Sequence, residues 1–237
     1  MTDLEQLSAY LSSLPPPIVL TADDEHLPED LREAVGTVPG RKLTLVLQKD
    51  GLACSGAVLE IRGGSEDVWP IQGLDGASVA LGEVSVRLEN GAQKTDVSWS
   101  AKGTASFSGG LRLGVQLRRV DGEAGAWRLT LDQDAPLSAL QLMQICGELP
   151  FALPEKLNFM NDAVNVCKDR FAITFYPNTE TTYCEEFVLS SSAALELIPG
   201  LLCFQGLEIR VDADVFGFCI TLVGRLKISS TELMAGV

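Results

Sequence analysis

Hydrophobic residues recur with a helical period in three short stretches of the chain. In residues 4–11 they lie three or four positions apart, which is typical of one helical face. The following Pro15 ends that helix because proline lacks the backbone donor. The same reasoning predicts a second helix over residues 27–35, after a run of acidic residues that suits a helix N-terminus, and a third over 137–146.

From Lys42 onward the period changes to two, which is typical of half-buried strands. Asp50-Gly51 predicts a hairpin turn that leads into a strand over residues 52–61. Further strands are predicted at 68–71, 77–88, 94–100, 103–108, 111–120, 126–132, 163–167, 170–176, 181–190, 195–198, 201–211 and 215–229. The chain is therefore predicted to be mainly β, an α+β fold with few short helices and antiparallel strands.

Two parts of the chain share a pattern. Residues 84–88 align with residues 207–211 at an offset of 123, and 97–108 align with 218–229 at an offset of 121, with a glycine at the same place in both. The pattern predicts a helix-plus-sheet unit over residues 1–134 and a second, shorter unit of the same kind over 135–237. Each unit would begin with a short helix and bury one face of an antiparallel sheet, although amphipathic strands also align by chance.

The order of these features resembles the repeat unit of very long bacterial and fungal β-repeat proteins of unknown function. The features are a Leu-rich helix, a Leu-Pro segment such as Leu14-Pro15, a turn such as Trp69-Pro70-Ile71 or Ile198-Pro199, and a strand of the type Gly224-Arg-Leu-Lys-Ile228. The resemblance implies a scaffold or an apolar-ligand role and supplies no catalytic residues.

The charge narrows the classes of partner. The chain carries 32 acidic and 18 basic residues, for a formal charge of −14. Phosphate backbones are bound by Lys and Arg that displace counterions, so nucleic acid and anionic membranes are not expected partners. The acidic start predicts no signal peptide, and no apolar run reaches the ~18 residues of a transmembrane segment. We expect a cytoplasmic protein, or one that is exported without a cleaved signal peptide.

Candidate chemistry is sparse. There are six cysteines without Cys-x-x-Cys spacing and one histidine, so neither a metal site nor a cofactor is predicted. The cysteines are expected to be buried free thiols, with a Cys203–Cys219 or a Cys167–Cys184 bridge as the alternative. No catalytic residue is predicted. His26 is expected to be a surface residue at a helix start, and the acid pairs, such as Asp23/Asp24 and Glu185/Glu186, are expected to be solvated.

Large aromatic residues are the remaining candidates for a site. They are candidates to line an apolar cavity, although core packing is the ordinary explanation for such residues. The candidate lining residues are Trp69, Trp99, Trp127 and Phe204.

These features favour a non-enzymatic structural, binding or assembly module made of duplicated amphipathic β units. Its partner would be another protein or a second copy of the chain, docked at unpaired strand edges. The alternative is a protein that binds an apolar small molecule or a lipid. A second alternative is an enzyme of the cyclase or isomerase type without a motif, which would use a buried carboxylate.

Overall fold

The structure is a computed structural model. It describes residues 3–74, 76–91, 95–120, 125–138, 141, 145, 164–179, 182–191, 195–198, 202–214, 217–228 and 231–236. Side chains are not described at residues 164 and 165, and beyond residue 181 they are described only at positions 221, 223, 225 and 227.

The described residues form two α-helices and sixteen strands, numbered in chain order. The helices are α1 (Asp3–Ser13) and α2 (Glu29–Gly36). The strands are β1 (Ile18–Thr21), β2 (Lys42–Ser55), β3 (Val58–Gly64), β4 (Val68–Pro70), β5 (Ser78–Asn90), β6 (Thr95–Ser106), β7 (Arg112–Arg119), β8 (Trp127–Leu131), β9 (Ala135–Leu137), β10 (Val164–Val166), β11 (Phe171–Phe175), β12 (Thr182–Ser191), β13 (Leu195–Ile198), β14 (Leu202–Asp214), β15 (Gly217–Ile228) and β16 (Thr231–Gly236). The predicted mainly β fold with few short helices is confirmed.

Nearly all strands belong to one curled antiparallel sheet. Its order is β1-β2-β3-β5-β6-β7-β8-β11-β12-β14-β15-β16, with β4 paired to β5 and β13 paired to β14. Strands β9 and β10 form a separate small sheet. The two halves of the chain meet where β8 pairs with β11, with Leu129 opposite Ile173. The two sheets expected from the sequence are therefore continuous with each other.

The pairing pattern recurs in the two halves. Strands β3, β5, β6 and β7 neighbour one another with β4 on β5, and strands β12, β14, β15 and β16 do the same with β13 on β14. Val86 lies opposite Trp99, and Ile209, 123 positions after Val86, lies opposite Leu222, 123 positions after Trp99. The sequence alignment used offsets of 123 and 121 for these two strands, and the observed registers do not allow both at once. A slip of two keeps every apolar residue on its face, so the alternating pattern cannot detect it. The division into units at residue 134 stays a prediction.

Both helices cover one face of the sheet. Helix α1 lies on β2 and β3, and helix α2 lies against β1, β2 and β6. Their buried side chains follow the helical period and join the strand residues of the core: Leu4, Leu7 and Leu11 from α1, and Leu31, Ala34 and Val35 from α2. The predicted helices over 4–11 and 27–35 are confirmed, since apolar stripes need a surface to cover them. Most of the predicted helix over 137–146 lies outside the described residues.

The predicted hairpin turn at Asp50-Gly51 is wrong. Leu47 lies opposite Gly63 and Leu52 lies opposite Ile61. Residues 48–51 of β2 therefore form a four-residue bulge within one strand. The chain reverses later, at Gly56, which has a φ of 61°. Asp50 has a φ of 60°. Asp-Gly supplies residues that tolerate positive φ, and a bulge uses that property as readily as a hairpin turn.

Glycine at position 103 allows β5 and β6 to approach closely at the irregularity after Leu81. A Cβ there would overlap the carbonyl oxygen of Ala80, and it would lie 3.3 Å from the Cα of Leu81. At Gly114, by contrast, the nearest atom to an added Cβ is the Cβ of Asp132 at 3.9 Å.

We therefore expect Gly103→Ala to lower the free energy of unfolding by about 1–3 kcal/mol, because the backbone of β5 must shift. The matched variant Gly114→Ala should stay within about 0.5 kcal/mol of the parent chain. Urea unfolding monitored by tryptophan fluorescence measures both. Equal stability of the two variants would contradict this packing.

Candidate functional site

Three of the four predicted lining residues lie together in the core. Trp69, Trp99 and Trp127 are buried. The ring centroid of Trp127 is 4.9 Å from that of Trp69 and 5.9 Å from that of Trp99, both edge to face. The indole nitrogen of Trp127 donates to the hydroxyl of Thr37 at the end of α2, at 3.2 Å. The side chain of Phe204 lies outside the described residues. A ligand-lining role for these four residues stays a prediction.

His26 lies at the surface beside Asp24. Its Nδ1 is 3.1 Å from the Oδ1 of Asp24, and its ring stacks on that of Tyr10 with a centroid distance of 4.7 Å. The Tyr10 hydroxyl donates to the Oδ2 of Asp24 at 2.8 Å. Burial raises the pKa of Asp24, but hydrogen bonds from the His26 backbone and the Tyr10 hydroxyl outweigh it, so the pKa is lowered. The cluster fastens α1 to the loop before α2.

The face of the sheet opposite the helices carries an aligned row of polar side chains. The strand registers place Arg62, Ser85, Ser100, Arg118 and Arg128 side by side across β3, β5, β6, β7 and β8. Neighbouring strands lie about 4.8 Å apart, so adjacent members of the row are within contact range of one ligand.

A parallel row lies beside the first. It consists of Glu83, Lys102, Gln116 and Thr130 on β5 to β8. Two adjoining grooves open over the two rows, with volumes of about 380 Å³ and about 310 Å³. Gln116 and Arg118 line both grooves. The two grooves together are called the basic groove. The first groove is lined by Gln48, Arg62, Glu83, Val84, Ser85, Ser100, Ala101, Lys102, Gln116 and Arg118. The second is lined by Gln116, Arg118, Arg128, Thr130, Leu131, Lys168 and Asp169.

Irregular backbone builds the two ends of the basic groove. The bulge over residues 48–51 brings Gln48 to one end, beside Arg62. At the other end stands the 3₁₀ turn Lys168–Arg170, which contacts β8 and β12. The backbone N–H of Lys168 donates to the Oδ1 of Asp134 at 2.9 Å, and this bond fastens the turn next to β8.

The groove concentrates positive charge in an acidic chain. Five of the 18 basic residues line it, against the two carboxylates of Glu83 and Asp169. The whole chain carries −14. The residues that line the groove therefore carry a net positive charge, in contrast to the chain as a whole.

Two of the five basic side chains of the groove are paired with carboxylates, whereas Arg118 is not. Arg62 pairs with Glu60, and the ammonium of Lys102 lies 3.4 Å from the Oδ1 of Asp132. Arg118 forms neither an ion pair nor a side-chain hydrogen bond with any residue that the structure describes. Its guanidinium is exposed to both grooves and offers five donors in a planar fork.

A hydrogen bond between Gln116 and Asp132 lies at the edge of the basic groove. Gln116 donates through Nε2 to the Oδ1 of Asp132 at 2.8 Å. That hydrogen bond is the main cause of a lowered pKa at Asp132; loss of solvent opposes it, and Lys102 adds to the lowering. The ionised carboxylate thus orients both an amide and an ammonium at the edge of the site.

The cysteines depart from their predicted environment. Cys54 and Cys167 are free but exposed, so the predicted burial is wrong for these two, and Cys167 is not bridged to Cys184. Cys203 lies opposite Lys227 and Cys219 lies opposite Asp212, which places the two far apart along β14 and β15. Their separation of about 25 Å rules out the alternative Cys203–Cys219 bridge. The side chains of the other four cysteines lie outside the described residues.

The described residues contain neither a cluster of metal ligands nor a membrane-spanning helix. No group of three or more His, Cys, Asp and Glu side chains in those ranges is placed to hold a metal ion. None of the described helices combines the length and the apolar character needed to cross a membrane.

Comparisons with protein-family models, with curated proteins and with solved structures find no match to this chain. A functional proposal for this chain therefore rests on the geometry of the site.

Sequence reasoning missed the basic groove. Its residues come from β2, β3, β5, β6, β7, β8 and the turn at Lys168–Arg170, and no two of its basic residues are adjacent in the sequence. The sequence does contain one signal, since the basic residues fall at the polar positions of the alternating pattern in several strands. That signal becomes a site only when the strand registers bring the residues into one row.

The lowered pKa of Asp132 gives a pH prediction. A carboxyl whose pKa in the fold is below its ordinary value of 3.8 stabilises the fold when ionised. That contribution is complete above the ordinary pKa and is lost as the pH falls through the lower pKa of the folded chain. We expect the urea midpoint of Asp132→Asn to lie below that of the parent chain at pH 7 and the gap to close below about pH 4. A gap of the same size at pH 7 and pH 3 would show that ionisation of Asp132 does not matter.

Proposed function

We propose that the protein is a non-enzymatic binding module that holds an anionic ligand in the basic groove. The observation that carries this proposal is Arg118, which lines both grooves and has no ion-pair partner among the described residues. Ser100 and Arg128 flank it on the neighbouring strands. An anion bound there would supply hydrogen-bond acceptors to the Arg118 guanidinium, which the described fold leaves exposed to solvent.

The chemistry of Arg118 favours oxyanions. A guanidinium binds a carboxylate, sulfate or phosphate with two parallel hydrogen bonds, which gives geometric specificity as well as attraction. Arg128 on the next strand and Lys168 on the adjoining turn add positive charge to the second groove. Surface ion pairs alone contribute little, and binding in a groove with several converging donors strengthens them.

The other two functions have less support in the described residues. The apolar-ligand alternative relied on aromatic side chains. Trp69 and Trp99 both pack on Trp127, and none of the three lines either groove. The enzyme alternative relied on a buried carboxylate. The buried polar residues of the described ranges are Ser65, Ser138 and Thr174, and no carboxylate is among them.

A role in assembly is compatible with this proposal. Strands β1 and β16 end the described sheet, and an edge strand presents backbone groups to a further strand. The duplicated units would then serve as a scaffold that presents the basic groove. The acidic surface of a protein partner carries the same oxyanion groups as a small ligand.

The proposal predicts that small polyanions stabilise the fold through Arg118. Citrate and inorganic pyrophosphate should raise the melting temperature of the parent chain, by the linkage between binding and folding. Arg118→Gln should remove most of that rise because it deletes the bidentate donor. Differential scanning fluorimetry at constant ionic strength, with sodium chloride as the reference salt, measures the effect.

Arg112→Gln is the matched control for this experiment. Arg112 lies on the same strand and the same face as Arg118, is also exposed, and lines neither groove. The two positions are about 20 Å apart along β7. The control should respond to both anions as the parent chain does. An equal rise in Arg118→Gln and Arg112→Gln would place the anion elsewhere and overturn the proposal.

A further inference from the structure

We infer that the ligand of the basic groove is a hydroxylated anion of the sugar-acid or sugar-phosphate type. This inference rests on the proposed function and names its ligand class. The evidence for it is the carboxylate, hydroxyl and amide side chains of the groove, with which an oxyanion bound to Arg118 alone would make no contact.

The first groove contains a carboxylate that a simple anion would avoid. Glu83 lines it, lies beside Lys102 on the next strand, and is exposed to solvent. A carboxylate accepts hydrogen bonds and donates none, so it repels a second oxyanion and attracts a hydroxyl donor. A ligand that carries both groups can place its oxyanion on Arg118 and a hydroxyl on Glu83.

The remaining lining side chains suit hydroxyl groups. Ser85, Ser100 and Thr130 each donate and accept, and the amides of Gln48 and Gln116 supply both functions. In the first row, Ser85 and Ser100 lie between Arg62 and Arg118, so two hydroxyl groups separate the two guanidinium groups. The volume of about 380 Å³ falls in the range of small-molecule sites.

Other anionic ligands fit less well. Neither groove has an aromatic side chain among its lining residues, so a nucleobase has no ring on which to stack. A long polyanion would extend past the groove onto a chain of net charge −14. A compact ligand confined to the groove avoids that repulsion.

Isothermal titration calorimetry of the full chain tests the ligand class. The probes are glucuronate and glucose 6-phosphate, with acetate and inorganic phosphate as plain anions and glucose as the neutral sugar. We expect at least one hydroxylated anion to bind about tenfold more tightly than the plain anion with the same charged group. The glucuronate and glucose 6-phosphate arms distinguish a carboxylate ligand from a phosphate ligand, and tighter binding in either arm supports the inference.

Glu83→Gln separates the two parts of the site. It should weaken the hydroxylated anion about tenfold, because it removes a charge-assisted hydrogen bond, while leaving the plain anion unchanged or strengthening its binding. The matched control is Glu89→Gln, on the same strand and face, since Glu89 pairs with Arg87 and lines neither groove. The control should bind all probes as the parent chain does.

The outcomes are distinguishable. If plain and hydroxylated anions bind equally and both depend on Arg118, the ligand class is wrong and the proposed function stands. If neither the sugars nor citrate nor pyrophosphate binds, both are overturned. Tighter binding of a glutamate decapeptide than of either hydroxylated anion would also overturn the ligand class, in favour of an acidic protein partner.

Discussion

The packing of Trp69, Trp99 and Trp127, from β4, β6 and β8, is the interaction on which the rest of the described site depends. Successive strand residues point to opposite faces, so Trp99 is followed by Ser100, and Trp127 by Arg128. Trp127 is completely buried and is tied to α2 through Thr37, which fixes the position of β8 beneath the helix layer. The edge-to-face contacts among the rings fix these strands relative to one another, and the same registers align the basic row on the opposite face. Core and groove are two sides of one piece of sheet.

The elements of this fold can be predicted from the sequence because burial repeats with a simple period. Helix α1 and strands β5 and β7 are marked by apolar residues at helical or alternating spacing, since each covers or forms one apolar face. Register is a different matter. A slip of two residues leaves every side chain on its face, so the alternating pattern could not reveal that the two offsets of the sequence alignment disagree with the observed registers. The bulge at 48–51 was mistaken for a hairpin for a related reason, since Asp50-Gly51 specifies local φ but not whether the chain reverses or continues along the same strand.

The site was harder to predict than the fold because it depends on register. A net charge of −14 predicts repulsion of polyanions by the average surface, but it does not describe a particular groove. Arg62, Lys102 and Arg118 are widely spaced in the sequence and meet only across four strands of the sheet. The tryptophans, by contrast, were identified as a group from their size and type. The structure brings three of them together, in the core that supports the groove rather than in the groove itself.

A specific anion site on the polar face of β5 to β8 should be visible residue by residue in solution. Mapping the backbone amide shifts of the ¹⁵N-labelled full chain during a citrate titration by NMR tests for it without any substitution. Such a site predicts saturable shifts confined to β5, β6, β7, β8 and the turn Lys168–Arg170, with the largest near Arg118. Shifts that do not saturate, or that centre on α1, α2 or the strands beyond β11, would contradict it.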